Sequence, residues 1–493
     1  MDILYKQTDS ILLKDNLAKL TEQIKIKQNE LYKPTFEDKL KIHNIILTYI
    51  QENRRKIYGG YALNKLLISK QQSSFYKDYD IPDIDFYSPD PNHDIIKLCN
   101  LLFDSGFTKV NGREAKHPNT YSIYVNFDLY CDITYTPKNI YNKIPYIIVD
   151  NIYYTNPSFM IIDYLKIITD PMGSYWRIEK AFERLLKIQE FFPLPKFTKE
   201  IYIGESDNDS NISESIEIIK NEIKNKDIVI IGFEAYNYYM NKSRLFEKNK
   251  KVNQIKIPYL EIISKNYKTD FDNIIAKLKE KFTENFIITH TEFQPFFNFL
   301  GNSVEIYLDS ELILIIYDYN KMCIPYNIQN DLKIGTFTTT LLYAQINVMK
   351  FRVIDLEDFK HIYMIMVSHL IQMKNYYFTK NNKKTIFDET PFKDFVINCL
   401  ASEINPDHAI LLKYEHRRSQ NKPSMFIYNP SISRKEEKDP SFYFPNISGN
   451  EITNEKGLRL KDNIESNTSD ANSEINETET ETNETETNET NNI

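Results

Sequence analysis

The feature that most constrains this 493-residue chain is a pair of glycines followed further along by two aspartates that flank one apolar residue. Gly59 and Gly60 precede a run with helical spacing, and Asp83 and Asp85 begin a strand-like segment. Side chains at i and i+2 leave a strand on the same face, so both carboxylates are expected to point into one cleft. Two adjacent carboxylates repel each other alone but become favourable around a divalent cation that both can bind. The glycines let the backbone approach phosphate oxygens, and a helix N-terminus behind them offers free N–H groups. The pattern therefore predicts a cleft that holds phosphate and metal.

A third carboxylate is expected on a neighbouring strand, as two-metal phosphoryl transfer requires. Residues 122–135 are rich in β-branched and aromatic side chains, which predicts paired strands carrying the candidates Asp128 and Asp132. Both candidates share one strand face by parity. Asp132 is favoured because it lies between Cys131 and Ile133, where an isolated charge is costly without a metal. Asp128 is the alternative, and it also fits an ordinary carboxylate at a strand end.

A helix predicted from Trp176 to Phe191 carries Arg177, Lys180 and Arg184 at i, i+3 and i+7, which places them on one helix face. Such a stripe could neutralise phosphate groups. A solvated helix face paired with glutamates explains the same spacing. Trp176 is predicted to be a core residue rather than a platform for stacking a base.

The second half of the chain weakly repeats the first. Gly232 follows an apolar strand as the glycine pair does, and Ile257–Ser264 echoes Ile81–Ser88. In this second segment Tyr259 takes the first carboxylate position, and nothing acidic cleanly matches Asp132. We expect a duplicated fold whose second copy has lost its metal site; a coincidence of short apolar strings is the alternative.

Periodicity and composition divide the chain into four predicted regions. These are a helical N-terminal region (1–52), a catalytic domain (53–195), a degenerate domain of the same fold (196–445) and a disordered acidic tail (446–493). Thr35 resembles the start of a capping box within the first region. The last 43 residues hold 12 acidic and 3 basic residues, so most of the net charge of −8 lies there and the folded body is near neutral. Bulk charge therefore gives no support for a nucleic-acid surface, although a local basic groove is compatible with it.

Cysteine spacing and hydropathy exclude several classes of protein. The four cysteines lie far apart with no CxxC spacing, so neither zinc binding nor a disulfide framework is expected, and reduced thiols are predicted. No apolar run approaches the roughly 20 residues of a membrane span, and the N-terminus has no signal-peptide core. A membrane protein is therefore not expected.

The combined string GGYAL, PDIDFYS, CDITYTP and WRIEKAFERL resembles the catalytic subunit of poly(A) polymerases from large cytoplasmic DNA viruses, of the poxvirus and mimivirus type. The resemblance carries motif content over residues 57–190. It implies a mixed α/β fold with a polymerase-β-like nucleotidyltransferase domain followed by a degenerate one. It also implies metal binding and catalysis by Asp83, Asp85 and Asp132.

The same resemblance implies the ligands of the site. Gly59 and Gly60 would bind phosphate, although relatives often carry Gly-Ser at this turn and the hydroxyl contact is missing here. From their spacing on one helix face, and not from the resemblance, Arg177, Lys180 and Arg184 are predicted to contact the nucleotide. The cofactors would be two divalent cations, Mg²⁺ or Mn²⁺, with ATP as substrate.

The activity implied is template-independent addition of AMP to an RNA 3′ end, in the host cytoplasm and in the virion. A homodimer or a partner resembling a cap methyltransferase would provide processivity. Two other hypotheses stay open on the residues alone. One is another nucleotidyltransferase, such as a uridylyl-transferring, CCA-adding or small-molecule-modifying enzyme; the other is an inactive RNA-binding scaffold, against which the three intact aspartates argue.

Overall fold

Two mixed β-sheets with flanking helices make up the fold, which confirms the expected mixed α/β class. The computed structural model describes residues 4–117, 119–203, 209–282, 286–319, 321–383, 385–434 and 459–461. Of the predicted domain limits, the loop at 204–208 and most of the acidic tail lie outside these residues. The four predicted region boundaries therefore stay predictions.

Helices surround both sheets and form the N-terminal region. They are α1 (Gln7–Leu31), α2 (Phe36–Glu52), α3 (Gly59–Ser69), α4 (Pro91–Asp104), α5 (Lys138–Lys143), α6 (Pro157–Thr169), α7 (Pro171–Ser174), α8 (Ile178–Phe191), α9 (Asp209–Ile223), α10 (Gly232–Ser243), α11 (Tyr267–Lys281), α12 (Phe337–Val353), α13 (Glu357–Lys380), α14 (Pro406–Ser419) and α15 (Pro430–Ser433). Short 3₁₀ turns cover Tyr175–Arg177 and Leu245–Glu247.

The strands divide between the two sheets. They are β1 (Lys56–Tyr58), β2 (Ile84–Ser88), β3 (Val110–Glu114), β4 (Thr120–Val125), β5 (Asp128–Tyr135), β6 (Tyr146–Val149), β7 (Ile152–Thr155), β8 (Ile228–Ile231), β9 (Leu260–Ser264), β10 (Ile288–Phe293), β11 (Ser303–Leu308), β12 (Glu311–Asp318), β13 (Ile324–Gln329), β14 (Leu332–Gly335), β15 (Cys399–Leu400), β16 (Ile427–Tyr428) and β17 (Arg459–Lys461).

The two sheets repeat one topology. The first runs β6-β7-β1-β2-β5-β4-β3-β16, and the second runs β13-β14-β8-β9-β12-β11-β10-β17 with β15 added beside β13. Each neighbouring pair is parallel or antiparallel in the same way in both sheets. Even the register shift recurs, between Ile123 and Tyr124 in one hairpin and between Ile306 and Tyr307 in the other. The duplicated fold expected from the weak sequence repeat is therefore confirmed.

The two copies share one hydrophobic core. Helix α6 of the first copy packs against α12 of the second, and one apolar cluster contains buried residues of both. The loop between β10 and β11 reaches the first copy, where Phe297 meets the ring of Tyr87 and Phe299 meets Phe159 edge-on. The second copy thus supports the first sheet directly.

The N-terminal region is helical, as predicted. The capping box of α2 is present, since Thr35 Oγ1 accepts from the Asp38 N–H at 3.2 Å and the Asp38 carboxylate accepts from the Thr35 N–H at 3.2 Å. Helix α1 buries none of its side chains. Among the described residues, none of the helices combines the length and apolarity that crossing a bilayer requires.

Two expectations are corrected. Cys323 and Cys399 form a disulfide with their Cα atoms 5.5 Å apart, while Cys99 and Cys131 are buried free thiols. The expectation of four reduced cysteines was wrong because β13 and β15 pair across a separation of 76 residues, which spacing could not reveal. In addition, Arg459–Lys461, within the predicted disordered tail, pairs with β10 as strand β17.

Candidate active site

Gly59 joins strand β1 directly to helix α3. Its φ of +73° lies in the left-handed region, which glycine enters without steric cost. A Cβ at this position would lie 2.6 Å from Asp85 Oδ2, because Tyr58 and Asp85 are register partners on β1 and β2. A side chain at residue 59 would therefore displace the carboxylate, so the glycine is needed both for the turn and for the close approach.

Asp85 and Asp132 lie side by side on the parallel strands β2 and β5, where they are register partners. Asp83 is exposed and comes just before β2 rather than within it. Asp128 is exposed at the start of β5. The parity argument that put Asp128 and Asp132 on one face was wrong, because the bulge between them breaks the alternation. The structure brings Asp132, and not Asp128, next to Asp85.

The carboxylates make the site strongly electronegative. Burial raises the pKa of Asp85 well above its usual range; the charges of Asp83 and Asp132 raise it further, while Arg184 and Arg177 act in the opposite direction. Burial also raises the pKa of Asp132, against the hydrogen bond that Ser122 Oγ donates to its Oδ1 at 2.5 Å. Such mutually repelling carboxylates are typical of functional sites that neutralise them with a cation.

Asp85 is suited to cation binding because its oxygens are left unpaired. Within the described part of the chain, no hydrogen bond reaches its carboxylate, whereas Glu261 at the matching position of the second copy accepts from Asn347 Nδ2 at 3.0 Å and from Tyr363. The described residues contain no ready-made cage of three or more His, Cys, Asp or Glu ligands. The carboxylates of Asp83, Asp85 and Asp132 are the residues that would hold a divalent cation, together with substrate phosphates.

The predicted basic stripe is only partly helical. Arg177 lies in the 3₁₀ turn before α8, which begins at Ile178, while Lys180 and Arg184 are on α8. The charges of Arg177 and Arg184 nevertheless reach Asp85, and desolvation followed by the charge of Arg184 lowers the pKa of Lys180. All three predicted nucleotide-contacting cations therefore border the carboxylates.

The structure corrects the prediction for Trp176. Its side chain is 66% exposed, so it is not the core residue that the sequence predicted. The helix pattern was extended two residues too far towards the N-terminus, and the chain there turns outward instead.

Tyr76 is a site residue that sequence reasoning missed. Arg184 Nη2 donates to Tyr76 Oη at 3.3 Å, and both groups fill the space that a side chain on Gly60 would need. Burial, against the charge of Arg184, raises the pKa of Tyr76 to about 12. The space beside this turn is thus filled by a tyrosine hydroxyl and a guanidinium. No local sequence signal marks Tyr76, because it lies in a loop of a tyrosine-rich chain.

The second copy keeps the geometry of the glycine turn without the three aspartates. A Cβ at Gly232, whose φ is +62°, would lie 2.6 Å from Glu261 Oε1, which reproduces the Gly59 and Asp85 relationship. Ile315 is the register partner of Glu261 and replaces Asp132. Lys350 pairs with Glu305 at 3.3 Å beside this buried carboxylate and acts against the rise in its pKa that burial causes. In the second copy a lysine and hydrogen-bond donors therefore satisfy the carboxylate of Glu261, whereas none of the described residues donates a hydrogen bond to Asp85.

Comparisons with known proteins agree with this geometry. The family described as "Poly(A) polymerase catalytic subunit" matches residues 44–174, and that described as "APMV, Putative poly(A) polymerase, catalytic subunit, C-terminal" matches residues 186–462. A curated mimivirus protein named "Putative poly(A) polymerase catalytic subunit" is 33% identical over 96% of this chain and 88% of its own length. The chain belongs to the family of viral poly(A) polymerase catalytic subunits.

Other relatives extend the comparison. A protein of the same name from African swine fever virus (strain Badajoz 1971 Vero-adapted) is 28% identical over 39% of each chain. The crystal structure of the Megavirus polyadenylate synthase has a TM-score of 0.84 and 29% identity, and the match covers 94% of both chains. The resemblance predicted from the motifs is confirmed, and by family this poly(A) polymerase subunit is a polynucleotide adenylyltransferase.

Proposed function

We propose that this chain adds AMP from ATP to the 3′ ends of mRNA without a template, by two-metal-ion phosphoryl transfer. The observation that carries the proposal is the pairing of Asp85 with Asp132 across β2 and β5, directly beside the Gly59 turn that opens α3. Carboxylates, a phosphate-accepting turn and a basic rim meet at this one place. The family supports the adenylyl transfer, and this geometry supports the metal-assisted route.

The turn and the basic rim bind the triphosphate. The N–H groups in the first turn of α3 have no partner within the helix and would point at an anion bound there, where the helix dipole favours negative charge. Arg184, held by Tyr76 over Gly60, and Lys180 add positive charge next to this turn. These groups orient the α-phosphate of ATP towards the carboxylates, which is the larger part of catalysis in phosphoryl transfer.

The carboxylates have a different role, which is to hold the metal ions between the RNA 3′-hydroxyl and the phosphates. Divalent cations held by Asp83, Asp85 and Asp132 would supply activation of the 3′-hydroxyl and charge neutralisation on the phosphates. Asp132 is oriented for this by the hydrogen bond from Ser122. The ring of Tyr58 stacks on that of Tyr87 with centroids 4.1 Å apart. The Tyr58 hydroxyl also shares a hydrogen bond of 2.8 Å with Thr134 Oγ1, and these contacts fix Tyr58 beneath the carboxylates.

Two expectations on assembly and location belong to the same proposal. Self-association is supported by α1, which exposes Leu13, Leu17, Leu20 and Ile24 at heptad-like spacing on a helix that buries none of its side chains. Sedimentation of Leu17→Asp against wild type tests this. A partner resembling a cap methyltransferase, and action in the host cytoplasm and virion, stay predictions of the resemblance.

Incubation with a short RNA primer and each nucleoside triphosphate separately tests the proposal. We expect long extension with ATP and Mg²⁺ or Mn²⁺, little with the other three nucleotides, and none after chelation by EDTA. Preference for another nucleotide or a small-molecule acceptor would replace the proposal with another nucleotidyltransferase activity. No incorporation with any metal would leave an RNA-binding role only.

A further inference from the structure

Two neighbouring aromatic side chains protrude into solvent on the 3₁₀ turn before α8. Tyr175 is 71% exposed and Trp176 is 66% exposed. Their rings meet edge-on, with centroids 5.2 Å apart and planes at 89°. An aromatic side chain gains considerable free energy by leaving water, so two adjacent exposed rings call for a partner.

The turn that carries the two rings is anchored on both copies. Asp170 accepts from the Gly173 N–H at 2.9 Å and so caps α7, and its carboxylate also accepts from the backbone N–H of Cys323 in the second copy. Pro171 is buried at the first position of α7. The rings are therefore presented by a fixed turn.

The position of the pair is set by the next residue, Arg177. Its charge acts on Asp85 and on Asp132, the two register-paired carboxylates. It also acts on His117, whose pKa is lowered by desolvation and by the cations Arg177, Lys166 and Lys116. The turn that carries the aromatic pair leads directly into α8, whose Arg184 lies against Gly60 and donates to Tyr76 Oη at 3.3 Å. The aromatic pair therefore lies at the edge of the catalytic cleft.

We propose that Tyr175 and Trp176 stack against bases at the 3′ end of the RNA primer. This inference rests on the proposed function, which supplies a single-stranded RNA with its 3′-hydroxyl at the carboxylates. Aromatic rings beside basic side chains are the usual composition of single-strand binding surfaces. Arg177 and Lys180 follow the two rings along the chain and are both exposed. Their charges complement the phosphate backbone of the RNA, which a neutral protein partner would not require.

Stacking also suits a primer whose end changes with every turnover. After each addition the RNA must move by one nucleotide, so a contact to base edges would have to be remade for each sequence. Every base offers a π-face, and a stacking contact therefore accepts the original primer and the growing adenosine tail alike. The pair would hold the 3′ end near the cleft without selecting its sequence.

Trp176 is the only tryptophan of the chain, so its fluorescence reports on this surface directly. Titration of the wild-type protein with a short single-stranded RNA, without ATP, should quench the indole emission, and titration with ATP alone should not. This readout is independent of turnover, so it separates failure of the inference from failure of the proposed function. Absence of quenching by RNA, or equal quenching by ATP alone, would overturn the inference that Tyr175 and Trp176 stack against the primer.

Steady-state kinetics give the second measurement. Trp176→Ala should raise the primer KM about 5- to 100-fold, as expected for the loss of one stacked base. The ATP KM and the kcat at saturating primer should stay near the wild-type values. Trp176→Phe should restore part of the primer affinity, because it keeps a ring. Tyr202→Ala serves as the control, since Tyr202 is 78% exposed on another part of the chain and should change nothing. A rise in the ATP KM alone, or an unchanged primer KM in Trp176→Ala, would contradict the inference.

Discussion

Gly59 and Asp85 are in contact: a Cβ on residue 59 would lie 2.6 Å from Asp85 Oδ2. The contact couples the turn that accepts phosphate to the carboxylate expected to bind the metal. The same contact recurs between Gly232 and Glu261 in the second copy, where no chemistry is expected. The close approach therefore belongs to the fold that the two copies share, and the surrounding side chains decide whether it serves catalysis.

Gly59→Ala should lower the extension rate by about 100-fold, because it displaces Asp85 and a shift of about 1 Å in a reacting group costs that much. It should also destabilise the fold by about 1–2 kcal/mol, the cost of the left-handed region for a residue with a Cβ. Gly106→Ala is the matched control: its φ is +98°, and nothing lies within 4 Å of the added Cβ. Primer extension and urea unfolding measure the two effects. Equal rate losses in both variants would refute the role of the contact.

Tyr76→Phe should raise the ATP KM by about 3- to 10-fold, the range expected from one hydrogen bond. The reason is that Arg184 loses the hydroxyl that fixes it over Gly60. The primer KM should not change. Tyr202→Phe, at an exposed tyrosine, provides the comparison. If Tyr76→Phe left the ATP KM unaltered, Tyr76 would have no part in binding the triphosphate.

Lys350→Met should destabilise the second copy by about 3–5 kcal/mol, since it leaves buried carboxylates without their cation. Lys350 is 7% exposed in its pair with Glu305, which is 13% exposed. Added Mg²⁺ should not restore stability if the lysine has permanently replaced a metal.

Lys333→Met is the control for that prediction, because Lys333 pairs with the half-exposed Asp227 and such pairs contribute about 1 kcal/mol or less. Urea unfolding of both variants, with and without Mg²⁺, makes the measurement. Rescue of Lys350→Met by the metal would show that the second copy kept a cation site.

His369 should make the protein sensitive to acid. Burial lowers its pKa to about 4, below the ordinary value of 6.5, so the unfolded chain binds the extra proton between these pH values and stability falls as pH falls through this window. The loss from pH 7 to pH 5 is about 2 kcal/mol from this group. His369→Asn, whose amide can still form a hydrogen bond with Tyr236 Oη, should reduce the loss by that amount. An unchanged pH dependence in the variant would contradict the buried neutral histidine.

Local patterns predicted the elements that carry chemistry. Helix spacing, turn glycines and runs of β-branched and aromatic residues located α3, β2 and β5, and the structure pairs Asp132 rather than Asp128 with Asp85. The duplication could be detected in the sequence because the second copy keeps the strand lengths and the glycine position, although it lacks the predicted metal ligands. These features are encoded within a few residues of one another.

Features that depend on tertiary contacts could not be predicted. The bulge that separates Asp128 from Asp132 depends on pairing with β4, and the disulfide depends on pairing of β13 with β15. Tyr76 enters the site only because α8 brings Arg184 to Gly60. The exposure of Trp176 follows from where α8 begins, and helix boundaries are the least certain part of a sequence pattern.

The most direct test compares the two equivalent carboxylates, Asp85 and Glu261. Asp85→Asn and Glu261→Gln are assayed for ATP-dependent primer extension, after circular dichroism has shown both to be folded. The account predicts that Asp85→Asn abolishes extension, while Glu261→Gln retains it within a few-fold of wild type. Retained extension in Asp85→Asn, or its loss in folded Glu261→Gln, would contradict the assignment of catalysis to the first copy.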